Sequence, residues 1–190
     1  MITSHKKGIS SIQLSKDVGV TQKTAWFMLQ RIRFAVRTKS FSKPLENTVE
    51  VDETYIGGKN KNRHSNKKVA NSQGRSTKSK TAVFGLVERN GRVVAMKVNN
   101  TSGHTLKPLI NAHVTPDTNL MSDEWKAYTG LSKMYNHKFV KHGDGEYVNG
   151  DIHTNTIEGF WSLLKRGIIG IYHNVSSKHL DKYLDEFEYR

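Results

Sequence analysis

Cysteine is absent from the sequence. Disulfides and thiol catalysis are therefore excluded, and zinc could draw only on histidine and carboxylate ligands. The nine histidines do not offer a ready set, since the spacings His137 to His142 and His173 to His179 match no standard ligand pair. Long apolar runs are missing too. No stretch approaches the roughly 18 to 20 residues of a membrane span, and the opening MITSHKKGIS lacks the apolar centre of a secretory signal. The expectation is a cytoplasmic protein with no membrane partner. Acidic residues are the last shortage: 17 Asp and Glu against 30 Lys and Arg leave a formal charge of +13. Such an excess favours a polyanionic partner and sets up the salt-dependent affinity of nucleic-acid binders.

With 190 residues, 35% of them hydrophobic, and only three prolines, the chain can bury a sizeable core. Residues 9–37 divide at Gly19 into a short helix opened by Ser10 or Ser11 and a longer one opened by Thr21. On the second, Ala25, Met28, Leu29, Ile32 and Val36 recur at helical spacing, while Lys23, Gln30, Arg31, Arg33 and Arg37 fall on other faces. Two helices about a short turn resemble a helix-turn-helix whose second helix enters a major groove; a hairpin used for packing is the alternative. SFSKPLEN (40–47) is a linker, so the expected boundary separates 1–45 from 46–190.

The second part opens with TVEVDETYIGG, a strand ended by glycines. The next segment, from Lys59 to Lys80, carries eight Lys or Arg and no acid, and reads as a mobile basic loop. TAVFGLVERNGRVVAMKV is two strands about an Asn-Gly turn. SGHTLKPLINAHV fits a helix, and TNLMSDEWKAYTGL a short strand running into a helix from Ser122 or Asp123. HKFVKH is a brief strand, GDGEYVNGDIHTN a glycine-rich loop, and TIEGFWSLLKRGI a helix. The order predicts a mixed α/β fold around one central sheet.

Three carboxylates stand out. Asp52 lies within an apolar strand, where a charge must be compensated unless that strand edges onto water. Asp123 ends a short apolar stretch and could equally cap a helix. Glu158 follows Asn155 by three residues, the spacing of a capping box. Lys165 lies seven residues beyond Glu158, and at roughly 100° per residue the two leave a helix on nearly the same face. Grouped hard oxygen ligands are what Mg²⁺ favours, and a pair of such ions can serve an in-line phosphoryl displacement.

The stretches VEVDETYIGGK, LMSDEWKAY and IHTNTIEGFWSLLKRGIIGIYHNVSSKHLDKYLDEF resemble those of ISXO-like insertion-sequence transposases of the DDE superfamily. The resemblance runs from the helix-turn-helix to the end of the chain. It implies an RNase H-like mixed central sheet with flanking helices, preceded by a small all-α helix-turn-helix. It also implies Asp52, Asp123 and Glu158 as a metal-binding catalytic triad for Mg²⁺, with Mn²⁺ as a substitute, and Lys165 as the basic partner of the last acid. His153 and Asn155 belong to the same block, as a possible second layer around the metal. DNA, as terminal inverted repeats and target, is the implied partner, met by Thr21, Gln22, Lys23, Arg31, Lys59, Lys61, Arg63 and Lys165. A prokaryotic, nucleoid-associated setting follows, with a homodimer or larger assembly on DNA to join two ends.

Trp125, Phe160 and Trp161 read as core residues, stacking on an unpaired base being the alternative. Two other functions share these features: a metal-dependent nuclease without strand transfer, and a DNA-binding remnant or repressor. One departure concerns the start. Family members often carry a zinc ribbon with cysteine pairs ahead of the helix-turn-helix, and its absence here points to a shortened copy.

Overall fold

A computed structural model describes residues 5–37, 43–58, 60–70, 72, 76–141, 143 and 148–190. The chain forms two compact units, one of residues 40–160 and one of residues 1–39 with 161–190. The sequence boundary at 45/46 and this division differ in where residues 40–45 and 161–190 fall. No helix among the described residues is long and apolar enough to cross a membrane.

The larger unit is built on β1 (Thr48–Ile56), β2 (Thr81–Glu88), β3 (Val93–Val98), α3 (Gly103–His113), β4 (Asn119–Asp123) and β5 (Asn136–Val140). The five strands form one sheet in the order β3-β2-β1-β4-β5. The hairpin strands pair antiparallel, while β1, β4 and β5 pair parallel. Only β2 runs against the rest, which is the RNase H-like arrangement implied by the sequence. The Asn-Gly turn forms as expected, with Asn90 at a φ of 59°. Val49, Val51, Phe84, Leu86 and Leu120 pack on one sheet face with Leu106 and Ile110 of α3. As the central strand, β1 is covered on both faces, which is why Glu50 and Thr54 are buried as well.

Two expectations change here. After Asp123 the chain makes two short 3-10 turns, Lys126–Tyr128 and Leu131–Lys133, where a helix was predicted. Asp123 Oδ1 takes the Trp125 N–H at 2.9 Å, and Gly130 turns left-handed at φ 88°, so neither end favours continuation into an α-helix. The basic segment holds more local structure than a mobile loop. Asn60 bonds both backbone groups of Val69 (3.0 and 2.8 Å), and Arg63 Nη2 donates to the Ser79 carbonyl at 3.2 Å.

In the smaller unit, α1 (Ser11–Val18) and α2 (Gln22–Ala35) meet about Gly19, left-handed at φ 71°. Ser10 Oγ accepts the Gln13 N–H, and Thr21 Oγ1 that of Thr24, the caps anticipated from the sequence. Leu14, Ala25 and Leu29 are buried together. Ile32 is exposed, however, and Arg33 is buried in its place. The cause lies in a C-terminal helix that periodicity did not reveal, α5 (Leu180–Tyr189). Arg33 Nε donates to Glu186 at 2.6 Å, and its guanidinium carbon lies 4.0 Å from the centre of the Tyr183 ring. Burial opposes the guanidinium charge, but the Glu186 carboxylate outweighs it and holds its pKa above the ordinary value.

Tyr172 donates to Glu186 at 2.8 Å, and burial, followed by the Glu186 charge, pushes its pKa up to about 12. A raised tyrosine pKa stabilises the fold fully below the unfolded value of 10.0, and the contribution is lost as pH rises through about 12. In an alkaline melt, wild type is therefore expected to lose stability over that window. Tyr172→Phe should flatten the dependence; an unchanged profile would assign the loss to other groups.

Candidate active site

Side chains alternate along a strand, so Glu50 and Asp52 share one face of β1. Asp52 is half-buried, and its antiparallel neighbour, Gly85, carries no side chain. On the other side β1 pairs with β4 at Glu50↔Met121, the last position of the ladder. Beyond that position the ladder ends, with Asp52 two residues further along β1 and Asp123 closing β4.

Helix α4 (Asn155–Gly170) begins on that face, and what holds it there is Glu50. The Glu50 carboxylate is fully buried and accepts the backbone N–H groups of Thr156 (2.8 Å) and Ile157 (2.9 Å), together with the Thr156 hydroxyl (2.8 Å). Arg89 Nε donates to it at 2.7 Å. Two of the helix's orphan N–H groups are thereby satisfied from a strand. The capping box expected of Asn155 and Glu158 does not form. Asn155 is the first helical residue, its own N–H directed at His153 Nδ1 (3.4 Å), and the Thr154 hydroxyl donates to Glu158 Oε1 at 3.0 Å. Glu158 is exposed in the first turn.

His153 Nδ1 also faces Arg89 Nη2 at 3.1 Å. With two donors directed at it, Nδ1 carries the lone pair and the proton lies on Nε2, so its 3.3 Å approach to Glu50 is a proximity rather than a donated bond. His153 and Asn155 thus shape the entry to α4.

Negative charge concentrates where β1 and β4 end. Tyr128 donates to Glu53 Oε2 at 2.7 Å, and its pKa is held well above ordinary by burial, then by Glu53, then by Asp52 and Asp123. Hard oxygen donors of this kind are what a divalent cation takes. The three predicted ligands are nonetheless not closed into one cradle: among the described residues no three Asp, Glu or His side chains stand at ion-binding spacing. Asp52 and Asp123 both bear on the Tyr128 hydroxyl, and Glu158 stays with Thr154. Beside Asp123, Ser122 Oγ donates to the Asp123 carbonyl (2.7 Å) and accepts from His137 Nε2 (2.9 Å), an imidazole whose pKa burial lowers.

Lys165 is exposed on α4, seven residues and about 10 Å of rise beyond Glu158. Thr21 caps α2, Gln22 bonds Ser11 Oγ at 3.2 Å, and Lys23 is exposed. Arg31 lies over the Phe27 ring at 5.8 Å. Lys61 is exposed, Arg63 is engaged with Ser79, and Lys59 lies outside the described residues. Trp161 and Phe160 are buried, as expected of core residues, whereas Trp125 is partly exposed and donates from Nε1 to the Thr101 carbonyl at 3.1 Å. The sequence reading missed Glu50, Arg89 and Thr154. Glu50 carried a signal like that of Asp52, an acid within a β-branched strand, and stands between two valines; Arg89, beside a turn, carried none.

Residues 44–190 match the family model of the ISXO2-like transposase domain. A protein in transposable element ISH50 of Halobacterium salinarum is 30% identical over 188 residues, a match covering 94% of this chain and 63% of that protein. A transposase-like protein of Haemophilus influenzae is 27% identical over 100 residues, 52% of this chain and 80% of the relative. Among solved structures, the Mos1 strand transfer complex aligns at 17% identity and a TM-score of 0.40, covering 94% of this chain and 65% of that one. A pre-cleavage Mos1 transpososome aligns at 17% identity and 0.37, covering 95% and 69%.

Proposed function

The chain belongs to the ISXO2-like transposase family, and from that membership we propose that it cuts DNA at the ends of an insertion sequence and joins them to a target. What supports the catalytic reading is that Asp52 and Asp123 lie on neighbouring parallel strands and both bear on Tyr128, while Glu50 of the first strand seats the helix bearing Glu158. These three carboxylates would hold Mg²⁺, or Mn²⁺ in its place. A pair of such ions, when bound, stabilises the attacking and leaving oxygens of an in-line displacement.

In cutting, a water oxygen bonds to phosphorus, the bond from phosphorus to the 3′ oxygen breaks, and a water proton passes by way of solvent to that oxygen, which leaves as a hydroxyl. In joining, the oxygen of that freed 3′-hydroxyl bonds to a target phosphorus, a target phosphorus–oxygen bond breaks in exchange, and the hydroxyl proton passes by way of solvent to the leaving oxygen. Neither step needs a redox partner or a covalent link to the protein. Glu158, which leaves capping to Glu50, is available to turn toward the other two acids. Lys165 and the basic residues Lys59, Lys61 and Arg63 would contact phosphates, and Thr21, Gln22, Lys23 and Arg31 would meet the terminal repeats, with two copies of the chain joining two ends.

The test is a labelled duplex carrying candidate element ends, incubated with and without Mg²⁺ or Mn²⁺. Metal-dependent cutting followed by joined product supports the reading. Cutting without joining would make the protein a nuclease, and binding without cutting a DNA-binding remnant. Lys165→Ala should lower cleavage about tenfold, the loss of one charge-assisted phosphate contact, while the melting temperature stays put. A large drop in that temperature would reassign Lys165 to holding the helix.

A further inference from the structure

We propose that Glu50 and Arg89 are positioning residues that tie the third carboxylate to the first, setting where Glu158 stands relative to Asp52. This rests on the catalytic reading above.

A buried carboxylate is a costly way to begin a helix, because the charge must be taken out of water. A Ser, Thr or Asn just ahead of the helix does the same work cheaply, and Thr154 is in place to do so. Instead Thr154 turns its hydroxyl to Glu158, and the cap comes from Glu50, 107 residues before Ile157. A local cap would fix only the first turn of α4. A cap carried by β1 also fixes that turn against the strand bearing Asp52, two residues beyond Glu50 on the same face. Glu158 directly follows the N–H that Glu50 holds at 2.9 Å.

Arg89 extends the clamp to the approaching chain. Its Nε reaches Glu50 at 2.7 Å, its Nη1 the Asp151 carbonyl at 2.9 Å, and its Nη2 the His153 carbonyl at 3.1 Å. The guanidinium therefore fixes both the acid that caps α4 and the residues leading into it. The side chains stand in a relay, with Arg89 orienting Glu50, Glu50 seating α4, and α4 presenting Glu158. Partners that orient metal ligands in this way tune affinity without touching the ion.

The deciding experiment is a double-mutant cycle on Mn²⁺ binding to the full chain, followed by electron paramagnetic resonance. Glu50→Gln is expected to weaken Mn²⁺ binding about 10- to 100-fold. Combined with Glu158→Gln, it should add no more than about twofold, because the ligand it positions is already gone. Equal weakening in both backgrounds, or unchanged affinity in a folded Glu50→Gln protein, would overturn the proposal. A general loss of structure lowers stability in both backgrounds alike and does not produce that coupling. If Glu50→Gln does not fold, Arg89→Lys carries the same cycle with the same expected sign, since it keeps the charge and loses the fork. Mn²⁺ binding that depends on Glu158 but ignores Glu50 and Arg89 defeats this proposal alone, whereas wild-type protein that neither binds Mn²⁺ nor cuts DNA defeats the transposase reading and this one with it.

Discussion

Glu158→Gln is expected to lower metal-dependent DNA cleavage by about 10³-fold while leaving the fold and DNA binding intact. The substitution keeps size and polarity and removes the charge a divalent ion needs. Ordinarily an acid in the first turn of a helix is hard to test, because its loss also weakens the helix end. Here Glu50 occupies the N–H groups of Thr156 and Ile157, and Glu158 is exposed, so its charge is not what starts α4. A stability change within roughly 0.5 kcal/mol, as for ordinary surface positions, should accompany the loss of activity. Asp52→Asn and Asp123→Asn should match the activity loss, since the proposed site draws one carboxylate from each. Undiminished cutting by Glu158→Gln would remove that residue from the catalytic set.

The second large effect is on stability. Glu186→Ala should destabilise the smaller unit by about 3–5 kcal/mol, because it strands the Arg33 charge in a buried site. Arg190 also pairs with Glu186, and Tyr172 donates to it, so one carboxylate serves three donors. Against a typical total of about 5–15 kcal/mol, such a loss approaches unfolding. Replacing both members together, as Arg33→Met with Glu186→Leu, should cost far less, since no charge is left without its partner. Hydrogen exchange at the amides of α2 and α5 reads the outcome directly. Protection in Glu186→Ala equal to that of wild type would mean that the pair contributes nothing net.

These two acids show where sequence reading reached and where it stopped. Signals confined to a few residues were legible: the Asn-Gly hairpin, the Ser10 and Thr21 caps, the strand around Asp52 and the helix after Thr154. The roles proposed for Asp52, Asp123 and Glu158 come from the resemblance alone. Pairings across long stretches of chain left no local mark. Arg33 falls among basic residues and reads as a surface charge until Glu186, 153 residues away, neutralises it. Glu50 has the alternation of a buried residue, but nothing in VEVDET says that its partner is a helix end. The segment after Asp123 misled for the opposite reason, as its helix-start pattern is real but Asp123 turns it inward onto Trp125.

The distance between Arg33 and Glu186 also bears on how the molecule comes into being. At about 5–20 residues per second of synthesis, α2 leaves the ribosome roughly 8 to 30 s before the 153rd residue after Arg33 brings its counter-charge. Glu50 waits likewise for Ile157, 107 residues on. The sheet hairpin can form early, because its pairings are local, but the helix bearing Glu158 and the helical unit are both late-closing parts. A nascent chain therefore seats the helix bearing Glu158 only near the end of translation, whereas Trp26, Phe27 and Phe34 of α2 stay exposed even once the fold is complete.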